Sequence, residues 1–423
     1  MAEPLAGPSA EVLRGRLAAE LRHWRRAAVE LGDLEMVAAP AAWAGLEAYL
    51  GTSVRTALTG SARSVARRAD QLTAQLPAAT DTADLPRLRG RVLALRQAYV
   101  QAETVIDFFG DAVNTRTNPR LAEVLRGLDL LAVDAMERVL GPLGIPVPPV
   151  LVYLDKGLGA SILRSGVRLW DASVSPAAAV KITRHNLLRP TSLLHECGHQ
   201  IAHLTGWTDE LGRALHDVLA PTSPTAAEVW QGWASEVAAD VVAFVLTGYA
   251  PVPALADVVD GTTDAVYRMP PGDPHPFGLL RVLFNAALCR SWYGTGPWDD
   301  LARTWMHRHP VHAAPAEAAL VTRASAPLLP QIVTACTATP MRAFGGRSLG
   351  ALVAPQRVAP AELRRLADGA GPALYTSTYL QRLEPMRVLA WTVLRSLHAD
   401  DAADVDLEGW LRRLGRDRTP AAA

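Results

Sequence analysis

Lysine is nearly missing from this chain. Only Lys156 and Lys181 occur, so almost all of the positive charge is arginine. The 42 basic and 42 acidic residues cancel. With neither sign in excess, no long-range field draws the protein to nucleic acid, an anionic membrane or an acidic substrate. Cysteine is scarce too. Cys197, Cys289 and Cys336 are an odd, widely spaced set with no CxxC pair. That argues against a disulfide framework and fits a reducing compartment. Nor is there a run of roughly 18 apolar residues that would span a bilayer. The best stretch, 237–259, is broken by Asp240, Pro251, Pro253 and Asp257. The opening residues, MAEPLAGPSAEVLRGRL, lack a basic segment followed by an apolar one, so no secretory signal is expected. A cytoplasmic protein without a membrane span is the expectation.

Apolar residues are plentiful. They make up 49% of 423 positions, ample for two or three domains with real cores. Through 10–31, 53–76, 85–109 and 118–140 they recur at three- and four-residue spacing, which predicts a helical amino-terminal region over 1–145. The texture changes at Gly144-Ile145-Pro146-Val147-Pro148-Pro149. Short strands are expected at 150–154, 166–170 and 178–183, with turns at 156–159 and 171–176. Helices resume after Arg189, over 190–204, 209–219, 226–246 and 277–289. A central region, 146–312, therefore mixes strands and helices, while 313–423 reads as mostly helical and carries no chemical motif. The fold class expected is α+β, predominantly helical.

Chemistry concentrates in Leu194-His195-Glu196-Cys197-Gly198-His199-Gln200. Two histidines four apart on a helix share one face, so both rings can reach a single metal ion. Glu196 projects beside that face, placed to take a proton from water as it attacks. The flanks are apolar (Leu193, Leu194, Ile201, Ala202, Leu204), and a buried His-Glu-His set needs a partner. Cys197 points about 200° away from His195 and reads as core. A longer histidine motif, with glycine three residues and a third histidine six residues beyond His199, fails because Ala202 and Thr205 stand there. His203 has drifted about 80° around the helix from His195.

The third ligand expected is Glu236. It lies four residues before Asp240 in an apolar helix with Val229, Trp230, Trp233, Val237, Val241, Phe244 and Val245. Glu236 can bind the ion while Asp240 accepts the second ring N–H of a ligand histidine and fixes its tautomer. Glu228 competes for the ligand role but lacks a carboxylate one turn later. The two-histidine, one-glutamate set makes Zn2+ the expected ion.

HExxH followed by ExxxD resembles the gluzincin metallopeptidases. The forms His195-Glu196-Cys197-Gly198-His199 and Glu236-Val237-Ala238-Ala239-Asp240-Val241-Val242-Ala243 are similar to those of membrane gluzincins that process prenylated proteins. Those relatives also carry His-Pro followed by Arg, which looks like His275-Pro276 and Arg281 here. The chain departs from them in having no transmembrane helices, and from thermolysin-like members in its longer spacing between His199 and Glu236. The resemblance covers roughly 150–290. It implies a zincin-like central domain, with a small sheet beside the HExxH helix whose edge strand could pair with an extended peptide, flanked by helical regions.

Amide hydrolysis also needs a donor for the developing oxyanion. His275, in a Pro/Gly-rich loop after the glutamate helix, is the first choice, with Tyr267, Tyr249 and His185 as rivals. The function expected is a zinc peptidase acting on a peptide or protein. A zinc hydrolase of some other amide or ester would use the same site. A helical interaction protein with a structural or vestigial metal is the third reading, though a structural site has no need of Glu196.

Overall fold

Ser9 accepts the Val12 N–H and so caps helix α1 (Ala10–Leu31). Ser53 does the same for α3 (Val54–Gln75) through the Thr56 N–H. Between them Pro40 begins a helix that the periodicity did not single out, α2 (Pro40–Leu50). With α4 (Asp84–Asn114), α1 and α3 bury a stripe that includes Leu17, Leu21, Val65, Leu72, Leu88, Val92 and Leu95. The computed structural model describes residues 9–51, 53–79, 84–169, 174–175, 177–397 and 407–418. The chain divides into two units: Met1–Asn118 with Ser165–Ala177, and Pro119–Arg164 with Ala178–Ala423.

The larger unit is a mostly helical α+β fold built on α5 (Pro119–Leu140) and a three-stranded sheet. The strands are β1 (Val150–Leu154), β2 (Ser161–Leu163) and β3 (Ala178–Ile182), in the order β1-β3-β2. Strands β1 and β3 run parallel, with Val152 opposite Val180. Strand β2 runs antiparallel to β3, with Ile162 also opposite Val180. At the β1 edge, the Asp129 carboxylate on α5 accepts the Val152 N–H at 2.8 Å. Among the described residues no strand pairs with the outer edge of β2.

Beside the sheet lie α6 (Ser192–Thr205), α7 (Trp207–Leu219), α8 (Pro224–Gly232), α9 (Ala234–Thr247), α10 (Pro251–Val259), the short α11 (Thr263–Val266) and α12 (Gly278–Tyr293). Gly206, at φ +68°, ends α6 and turns the chain into α7. One core joins α5, the sheet, these helices and the carboxy-terminal helix Leu407–Asp417. No helix among the described residues is long and apolar enough to cross a membrane.

Three expectations are corrected. The strand at 166–170 does not form over 166–169, where a single bridge joins Arg168 and Val174; Trp170 and most of the turn at 171–176 lie outside the described residues. The helix placed at Pro190 starts at Ser192 instead. The single helix expected over 226–246 is two, because Trp233 leaves helical geometry (φ −90°, ψ 2°) directly after Gly232. That break has a chemical consequence. It puts Glu236 in the first turn of α9, at the positive end of the helix dipole.

Candidate metal centre

The two ligand-bearing helices cross at a glycine. A β-carbon at Gly198 would stand 2.6 Å from Ala239 Cα and 3.1 Å from Val242 Cβ, so only glycine lets α6 and α9 approach this closely. Across that contact Glu236 on α9 meets the two histidines of α6. Its Oε2 is 3.3 Å from His195 Nε2 and its Oε1 is 3.2 Å from His199 Nε2. The rings stand edge to face, with centroids 4.8 Å apart. One donor atom from each residue lies within 4.8 Å of the others, and the cluster can chelate a metal ion.

Two imidazoles and a carboxylate form a donor set that suits a divalent metal ion. Four donors about 2.0–2.1 Å from one ion at tetrahedral angles lie about 3.3–3.4 Å apart. The two histidine–glutamate separations run to different carboxylate oxygens, and with one donor atom from each residue within 4.8 Å of the others the cluster is small enough to close on one ion. Glu236 is 6% exposed and Glu196 5% exposed, so both carboxylates sit out of bulk water. Burial alone would lower the pKa of His195, but hydrogen bonds to Asp240 and Glu236 outweigh burial and push it up to about 10. Burial likewise favours the neutral acid at Glu236, yet its bonds from His195 and His199 hold the carboxyl well below the usual range. At Glu196 burial wins and raises the pKa, although the charges of His195, His199 and Arg281 oppose it.

Polar groups also lie behind the two imidazoles. Asp240 Oδ1 lies 2.8 Å from His195 Nδ1. The same carboxylate accepts from Arg281 Nε at 2.9 Å, Arg281 Nη2 at 2.8 Å and Asn285 Nδ2 at 3.0 Å. Burial would raise Asp240, but the Arg281 charge holds it ionised well below the usual carboxylate range. Arg281 is thus no solvated helix residue. It is buried and answers the charge of both Asp240 and Glu236. Ser235 Oγ stands 3.3 Å from His199 Nδ1. His195 and His199 therefore each present Nε2 forward with a polar partner behind.

These groups line a cavity of about 500 Å3. His275 reaches it from the loop before α12, with Nε2 3.3 Å from Glu236 Oε2 and Nδ1 2.6 Å from Asp273 Oδ1. The rivals lie elsewhere. Tyr267 donates to the His309 carbonyl, Tyr249 packs on Trp298, and His185 Nε2 meets the Leu158 carbonyl. Cys197 is buried on the far side of α6, its thiol toward the Ala132 carbonyl. Glu228 and His203 are exposed and stand apart from the donor cluster.

Several residues of the site were not singled out in the sequence. Asp273 is two residues before His275, a spacing suited to a local side-chain bond. Asn285 is one turn after Arg281 on the same face. Ser235 and strand β2 carry no signal that separates them from ordinary loop and helix positions. One wall of the cavity comes from α10, where Pro251, Ala254, Leu255, Val258 and Val259 recur at helical spacing. No protein-family model matches the chain, and no curated protein or solved structure does either. The functional reading therefore rests on the geometry of the site.

Proposed function

We propose that this chain is a zinc-dependent peptidase of the gluzincin type, with its catalytic region within 146–312. The supporting observation is the convergence of donor atoms of His195, His199 and Glu236 within 4.8 Å of one another, with the buried Glu196 carboxylate on the position after His195 in the same helix. His195, His199 and Glu236 hold the metal, and Asp240 keeps His195 in the tautomer whose Nε2 is free to donate its lone pair. Zinc in such a donor set acts as a Lewis acid, polarising a carbonyl and acidifying water.

The remaining chemistry belongs to the chain. Glu196 takes a proton from the attacking water and passes it to the leaving amine. Its desolvated surroundings strengthen it as a base. His275, held by Asp273 through Nδ1, turns Nε2 toward the oxygen that gains charge in the transition state. The β2 edge, which no strand among the described residues pairs with, favours an extended peptide over a small amide or ester, because such an edge offers a strand backbone its hydrogen bonds.

Zinc content and cleavage of a peptide mixture, measured together on wild type, Glu196→Gln and His199→Ala, test this reading. Wild type should carry near-stoichiometric zinc and cleave. Glu196→Gln should keep the metal and lose turnover, and His199→Ala should lose both. A wild type that takes up no zinc would remove the enzyme reading altogether.

A further inference from the structure

We propose that Arg164 is a specificity-determining residue of this cleft, selecting substrates that present a carboxylate beyond the His199 end of the metal site. The inference rests on the peptidase reading above. Three arginines line the cavity. Arg281 is engaged by Asp240 and Glu236, and Arg189 Nη1 lies 2.7 Å from Asp257 on α10. Arg164 differs. It is half-buried and makes no hydrogen bond or ion pair among the described residues.

Its place in the cleft follows from two neighbours. Arg164 directly follows Leu163, the last residue of the open edge strand β2. Its charge also reaches His203, where burial and Arg164 together lower the imidazole pKa. His203 is one turn of α6 beyond His199, about 6 Å along the axis. Arg164 thus shares the cavity wall with Ser161, Ile162 and His199 and lies within electrostatic reach of the last turn of α6, while the paired Arg189 precedes that helix. An extended chain lying on the β2 edge passes Ser161 and Ile162 and reaches Arg164.

A half-buried guanidinium without a counter-charge is costly to desolvate further, and a carboxylate answers it with two parallel charge-assisted bonds. Two carboxylates share that chemistry: the substrate's own carboxy terminus and an Asp or Glu side chain. The apolar α10 wall holds no cation that could compete for either one.

The test uses the zinc-loaded full chain and matched N-acetylated peptides. One pair differs only in a free carboxylate or carboxamide at the carboxy terminus. Others differ only in Glu or Gln at successive positions around the cleaved bond. In the wild type, one pair should favour the carboxylate by roughly 10-fold or more in kcat/KM, chiefly through KM. Arg164→Gln should bring that ratio close to one, and Arg164→Lys should restore part of it. A response of the terminal pair identifies the substrate's end as the ligand; a response of a Glu/Gln pair identifies a side chain. A wild-type ratio near one for every pair, or one that Arg164→Gln leaves intact, overturns the proposal. Should no peptide be cleaved, the peptidase reading fails by itself. Fluorescence anisotropy of labelled versions of the same pairs on Glu196→Gln, with and without Arg164→Gln, then decides the matter. An Arg164-dependent preference upholds the carboxylate site, and equal affinities end it.

Discussion

Gly198 lies directly against Ala239, so closely that a β-carbon at 198 would stand 2.6 Å from Ala239 Cα and 2.9 Å from its carbonyl oxygen. This contact sets the distance between the helix carrying His195 and His199 and the helix carrying Glu236. Gly198→Ala should therefore act as overpacking, costing about 1–3 kcal/mol of stability. It should also weaken zinc binding, because α6 and α9 must separate or tilt. The two nearest obstructing atoms are Ala239 backbone, so adding Ala239→Gly should not restore either property. Thermal melts and competitive zinc titration check this. Full rescue by the second substitution would show that side-chain crowding, and not helix approach, is at issue.

Asp240 serves both His195 and Arg281. Asp240→Ala would leave the Arg281 guanidinium, only 8% exposed, without its main counter-charge. Removing one partner of a buried pair costs roughly 3–5 kcal/mol. Losing the bond behind His195 Nδ1 should also lower zinc affinity roughly 10- to 100-fold. The pair Asp240→Leu with Arg281→Met should regain much of the stability but not the zinc affinity. Stability from denaturant melts that is no better in the double variant than the sum of the singles would contradict a coupled pair.

The parts of this site legible in the sequence are those in which one periodicity carries both packing and chemistry. His195 and His199, or Glu236 and Asp240, are four apart on helices that are otherwise apolar, so face and burial could be read together. The α8–α9 break was not legible. Gly232 is tolerated inside many helices, and the turn at Trp233 is set by packing of its ring on Trp230 and Phe277. Strand β2 has three residues, too few for alternation to show. The run 166–170 reads as a strand by composition, yet a strand needs a partner, and the described part finds only the Arg168–Val174 bridge. His275 was legible as a loop histidine near the glutamate helix. Its link to Asp273 requires the loop to fold back on itself, which spacing alone does not dictate.

Stability should also carry a pH signature away from the metal site. Glu210 on α7 accepts the backbone N–H groups of Arg342 at 2.8 Å and Ala343 at 2.9 Å. Burial would raise its pKa, but these two bonds and the Arg342 charge together lower it from 4.5. A carboxyl depressed in the folded state contributes stability that is present above its unfolded value. That contribution is lost as pH falls through the lower folded value. Glu210→Gln should thus cost about 1–2 kcal/mol near neutral pH and progressively less below about pH 4. Thermal midpoints of the two proteins across that range are the measurement. A gap that stays constant into acid would mean the charge on Glu210 contributes nothing.

His275 separates two chemical roles that share one position. Its Nε2 is 3.3 Å from Glu236 Oε2, near enough to act either as a fourth metal ligand or as a donor to the substrate oxygen. Asp273, 2.6 Å from Nδ1, holds the ring with Nε2 toward the cleft, and the converging donor set comprises His195, His199 and Glu236 without it. On that ground His275→Ala should lower kcat about 100-fold with zinc affinity nearly unchanged. Asp273→Asn should lower kcat less, because the ring stays in place and loses only the carboxylate that orients it. The side chain is half exposed, so neither variant should move the thermal midpoint by more than the equivalent of about 0.5 kcal/mol. A steep loss of zinc affinity in His275→Ala would instead assign the ring to the metal. The search for the oxyanion donor would then turn to the other polar groups lining the cavity, Asn186 and Ser192 among them.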